Sequence, residues 1–113
     1  MNITELIPTP TKKVAFRLSE AQRVPPVPGC YVLATFPSDI LYIGRTVNLY
    51  VRFQQHRDDS DKTKPTLEGG AFWFYYLPWE VNDIDKLENT WLNDYEARNG
   101  RLPILNKRRA PIS

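Results

Sequence analysis

Two hydrophobic periods alternate along this chain. Residues 29–35 (Gly-Cys-Tyr-Val-Leu-Ala-Thr) form a continuous strand-favouring run, and Pro37-Ser38-Asp39 supplies turn chemistry after it. Residues 40–43 resume the apolar run, so the two segments are expected to pair as an antiparallel hairpin that brings Tyr31 near Tyr42. From residue 47 the period lengthens. Leu49, Tyr50 and Phe53 make one apolar arc, which predicts a helix over 47–57 with Thr46 or Asn48 as its cap. Residues 71–77 (Ala-Phe-Trp-Phe-Tyr-Tyr-Leu) return to an unbroken apolar run, the pattern of a strand covered on both faces, where core packing outweighs base stacking as the use of the rings. A helix over 82–99 follows. Ile84, Leu87, Trp91, Leu92 and Tyr95 share one stripe, Asn82 stands at the cap position, Asp83 and Asp85 fall in the first turn, and Asn99-Gly100 is a stop signal.

The rest of the chain punctuates these elements. Residues 1–13, with Pro8, Pro10 and interleaved threonines, read as an arm outside the sheet. A short element is expected over 16–23, and Pro25, Pro26 and Pro28 force an extended approach to Gly29. Residues 58–70 are polar, contain Pro65, Gly69 and Gly70, and read as a flexible loop. A last short element is expected over 102–107. The domain reading is an arm over 1–28, a folded domain over 29–107 and a basic tail over 108–113.

Composition narrows the classes. With 113 residues the chain makes one domain. One cysteine, Cys30, excludes an internal disulfide, and one cysteine with one histidine excludes a zinc site. Cys30 sits in an apolar run, where a buried structural thiol is expected. No apolar run approaches the ~20 residues of a membrane span and no signal-peptide core is present, so a cytoplasmic location is expected. The net charge of +2 says little, but residues 98–109 carry Arg98, Arg101, Lys107, Arg108 and Arg109 with no acid, a phosphate-binding candidate or a solvated terminus.

Two features break the pattern. Glu88 falls inside the apolar stripe of the second helix, between Tyr95 and Leu92. A buried unpaired carboxylate costs several kcal/mol, so a partner is required, either an arginine or a divalent cation. The other acids of that helix read as solvated. Arg52 and His56 lie about 40° apart on the first helix, on one face at the edge of its apolar arc. Each alone is better explained by packing; together, after a hairpin holding two tyrosines, they form a candidate site.

The ordered set Gly29-Cys30-Tyr31, Tyr42-Ile43-Gly44-Arg45, Asn48-Leu49-x-x-Arg52-x-x-x-His56, Glu88 and Asn106 resembles the GIY-YIG nuclease superfamily over residues 29–106. Cys30 replaces the isoleucine of the first motif, at a core apolar position that tolerates it. The resemblance implies an α+β fold, a small three-stranded antiparallel sheet flanked by helices. It implies a metal-dependent endonuclease, with Glu88 holding one Mg²⁺ or Mn²⁺, Arg52 on the phosphate, and Tyr31, aided by Tyr42 or His56, activating water. A tyrosine needs a cationic neighbour for this, and Arg45, Arg52 or the metal are the candidates. Gly44 would admit the phosphate, Arg45, Lys107, Arg108 and Arg109 would contact DNA, and Asn106 would fix the C-terminal segment against the site. With no added recognition domain, low sequence specificity, a preference for DNA shape, or a partner subunit that supplies recognition is expected. A silent nucleic-acid-binding module of the same fold and an interaction scaffold are the rival readings.

Overall fold

The computed structural model describes residues 1–106. Four strands, β1 (Lys12–Ala15), β2 (Gly29–Ala34), β3 (Ile40–Thr46) and β4 (Trp73–Pro78), form one sheet in the order β1-β4-β2-β3. Every neighbouring pair is antiparallel. Strand β2 lies between β4 and β3 and all its residues are buried, which explains its unbroken apolar sequence.

Alternation along the strands divides the core between the two sheet faces. Cys30, Val32, Ala34, Ile43 and Tyr75 pack on one face against Ile84, Leu87, Trp91, Leu92 and Tyr95 of helix α3 (Ile84–Asn99). Tyr31, Leu33, Phe74 and Tyr76 pack on the other face with Val14, Phe16, and Leu49 and Phe53 of helix α1 (Leu49–Arg57). Tyr31 and Cys30 are consecutive residues that serve opposite faces.

The sheet is antiparallel and flanked by helices as expected, but it has four strands rather than three. The added strand is β1, in the stretch read as an arm. Only Val14 of its residues is buried, and Lys12 and Lys13 are exposed, so no alternation marks it in the sequence. The preceding residues are also bound to the core. A 3₁₀ turn over Ile3–Glu5 buries Ile3, and Leu6 is fully buried. The region 58–70 contains a one-turn helix, α2 (Ser60–Thr63), and a Thr66–Gly69 bridge. Asn82 does not cap α3: a 3₁₀ turn, Val81–Asp83, leads into it and Asp83 takes the cap position without a side-chain bond. Gly100 ends α3 in the left-handed conformation at φ 73°, as its residue type requires.

Residues 102–106 form no helix or strand, yet they close the outer edge of β3. Leu105 N–H donates to the Leu41 carbonyl at 2.9 Å. The Asn106 side chain accepts from Ile43 N–H and donates to Ile43 O, both at 2.9 Å, taking the place of a neighbouring strand. Lys107, Arg108 and Arg109 lie outside the described residues.

Candidate active site

Tyr31 points to the α1 face of the sheet and is fully buried. Its ring stacks on Phe74 with centroids 5.2 Å apart and lies 6.0 Å from the Tyr42 ring. Gly44 stands opposite Tyr31 in the β2–β3 register. A Cβ at Gly44 would lie 2.5 Å from both Cζ and the hydroxyl of Tyr31. The glycine therefore makes room for the tyrosine, which occupies the space that the sequence reading gave to a phosphate. Gly44→Ala should displace the Tyr31 hydroxyl, because Phe74 blocks the ring's retreat. The expected result is a loss of about 1–3 kcal/mol in urea unfolding.

Helix α1 begins with two nested caps. Asn48 Oδ1 accepts from Val51 N–H at 3.1 Å, and Thr46 Oγ1 accepts from Asn48 N–H at 3.1 Å. This start directs Arg52 and His56 toward the sheet edge. Tyr31 OH and His56 Nε2 are 2.6 Å apart in a buried setting. Burial raises the Tyr31 pKa well above its ordinary value; neighbouring Tyr42 adds to this and Arg52 opposes it. Burial also lowers the His56 pKa from 6.5 to about 3, helped by the positive charges of Lys62 and Arg52. Both groups are thus neutral near pH 7, and in the tautomer with the proton on Nδ1 the phenol donates and Nε2 accepts. No resting phenolate forms, although the sequence reading looked for a cation to sustain one. Arg52 Nη1 lies 3.5 Å from Tyr31 OH and 3.5 Å from the Arg45 carbonyl, at the outer limit of a hydrogen bond. Lys62 of α2 sits 4.8 Å above the Tyr42 ring, a contribution that the polar sequence of this region does not signal.

His56 is the chain's one histidine, so its ring protons report on it alone. They should show no titration between pH 7 and 5 by NMR. The unfolded chain takes up this proton near pH 6.5 and the folded chain only near pH 3. His56 therefore contributes to a stability that is complete above pH 6.5 and is lost as pH falls toward 3. His56→Gln should flatten the stability-against-pH curve across that window. A ring that titrates near 6.5 in the folded protein would overturn this account.

Glu88 lies on the opposite face with α3 and is 3% exposed. Arg45, facing Cys30 across the β2–β3 pair, donates from Nη1 to Glu88 Oε1 at 2.5 Å. The partner demanded by the buried carboxylate is thus an arginine in this structure. Arg45 Nε also pairs with Asp85 Oδ1 at 2.7 Å, so Asp85 is not the purely solvated acid of the sequence reading. Its signal was available: Asp85 stands one turn before Glu88, where both can reach one cation. Cys30 is fully buried, its thiol pushed up to about 12 chiefly by burial, and is no nucleophile.

The two halves meet at the end of β3. Arg45 and Arg52 line one groove with Thr46, Val47, Val81, Ile84 and Asp85. A family model, that of the GIY-YIG catalytic domain, matches residues 27–101. The chain belongs to the GIY-YIG family. No curated protein matches it. A GIY-YIG domain is a nuclease-type domain whose substrate is nucleic acid; members are typically endonucleases and generally use divalent metal ions. Strand β1 lies outside the matched part of this GIY-YIG chain. Among the described residues no helix is long and apolar enough to cross a membrane.

Proposed function

We propose that the protein is a divalent-metal-dependent endonuclease that hydrolyses phosphodiester bonds in DNA, with low sequence specificity or a preference for DNA shape, and that it works in the cytoplasm. The observation that carries this reading is the neutral Tyr31–His56 hydrogen bond with Arg52 beside it. Such a pair can relay a proton. Tyr31 oxygen takes a proton from the attacking water while its own proton passes to His56 Nε2. The negative charge of a bound phosphate offsets the desolvation that otherwise keeps His56 neutral. Tyr42 confines the Tyr31 hydroxyl, and its own pKa is raised by burial, so it stays a neutral phenol. Arg52, held through Nε by Gln55 at 2.9 Å, directs its remaining donors at the phosphate oxygens.

Glu88 fits a hard divalent cation, Mg²⁺ or Mn²⁺. Its oxygens are hard donors, it is buried behind groove-lining Arg45, and the partner it already holds is a cation. Among the described residues no cluster of three metal-ligating side chains exists, which suits an ion held mainly by water and phosphate. When bound, the ion supplies Lewis-acid stabilisation of the phosphate and leaving oxygen. Asn106 steadies β3 through Ile43, and Lys107, Arg108 and Arg109 follow it in sequence as phosphate contacts.

The Arg45–Glu88 pair favours a second reading, a silent binding module in which arginine permanently replaces the metal. Incubation with supercoiled plasmid and branched DNA in Mg²⁺, Mn²⁺ or EDTA separates the two. Nicking that EDTA stops supports the nuclease. Salt-sensitive binding without cleavage in either metal supports the module.

A further inference from the structure

Arg45 is a fork between two unequal acids. Its side chain is 12% exposed, that of Glu88 4% and that of Asp85 49%. One guanidinium therefore spans a step from dry core to half-wet rim. Glu88 and Asp85 stand one turn apart on α3, so both acids come from one rigid element. Arg45 uses Nη1 for the inner acid and Nε for the outer one. The inner bond can open while the outer bond holds.

Resting on the nuclease reading, we propose that Arg45 is a displaceable internal cation. It holds Glu88 until a divalent ion takes that carboxylate, and Asp85 retains its guanidinium when it leaves. A divalent ion and a guanidinium compete for the same oxygen, and two like charges this close repel strongly. Without the ion, Arg45 spares Glu88 the cost of an unpaired buried charge. With the ion bound, Arg45 turns on its Asp85 anchor into the groove that Arg52 also lines. Its freed donors would then join those of Arg52 in that groove to hold a phosphate. Metal entry and phosphate grip are thereby linked, and Asp85 is a positioning residue acting through Arg45.

The test is Mn²⁺ binding to the DNA-free full chain, read by electron paramagnetic resonance of free Mn²⁺, with melting curves to confirm folding. Arg45→Gln should tighten Mn²⁺ by about tenfold. Asp85→Asn should weaken it by about fivefold, because Arg45 then loses its outer acid and is held more firmly by Glu88, and this effect should shrink below about twofold in the double variant. Should Arg45→Gln not fold, Arg45→Lys keeps the charge but cannot bridge both acids, and it should likewise erase the dependence on Asp85. If Asp85→Asn weakens Mn²⁺ equally with and without Arg45, Asp85 acts by its own charge and the proposal fails. If Arg45→Gln leaves Mn²⁺ affinity unchanged while Glu88→Gln abolishes it, the gate fails and the metal reading stands. If no variant binds Mn²⁺, both fail.

Discussion

Glu88→Gln should abolish cleavage, lowering the rate by at least about 10³-fold, while the fold and DNA binding survive. Glutamine has nearly the shape of glutamate and its amide oxygen can still accept from Arg45. Arg45 meanwhile keeps its bond to Asp85, so no buried charge is left without a partner. What disappears is the one buried carboxylate among the described residues, the partner of groove-lining Arg45, and with it the proposed means to hold a hard cation against the phosphate. Metal stabilisation of transition-state charge is worth several kcal/mol, and each 1.36 kcal/mol is about tenfold in rate. Plasmid nicking in Mg²⁺ gives the rate, fluorescence anisotropy with labelled DNA the affinity, and a thermal melt the fold. Nicking at the wild-type rate would sink the assignment of Glu88.

Tyr31→Phe should cost about 10²–10⁴-fold in single-turnover cleavage, the range of a lost general base. Phenylalanine preserves the stack on Phe74 and still fits over Gly44, so the change removes a hydroxyl and little else. If the hydroxyl and His56 work as one relay, His56→Gln should cost about as much, and the double variant hardly more than either. The half-buried Arg52 and buried Glu88 stay in place in all three variants. Additive losses would show that Tyr31 and His56 act separately, and an undiminished Tyr31→Phe rate would remove tyrosine from the chemistry.

Much of this was legible in the sequence because the elements that matter are strongly patterned. The continuous apolar run of β2 and the stripe of α3 read correctly, and Glu88 announced itself by standing in that stripe. Residue type narrowed the α1 cap to Thr46 or Asn48, of which Asn48 takes the position, and the shared face of Arg52 and His56 followed from helix geometry. The misses have physical causes. Strand β1 is short, lies at an edge and buries one side chain, so it leaves no period to detect. The role of Gly44 depends on cross-strand register, which places a buried ring above it and which hydropathy does not encode. Asp85 is half exposed and looked like an ordinary first-turn acid, since its partner comes from a strand 40 residues earlier in the chain.

The division of the site between the two faces of the sheet bears on how the protein comes into being. Tyr31, Tyr42, Arg52 and His56 belong to a contiguous hairpin and helix that local contacts can assemble early. Glu88 arrives on α3, which comes after β4 in the chain and packs from the opposite face on β2 and β3. A chain emerging from the ribosome, or one partly unravelled from its C-terminal helix, thus lacks the carboxylate even where the hairpin and α1 have met. On the proposed reading such a chain can neither recruit the ion nor cut, and the cell would meet an armed nuclease only as a finished fold.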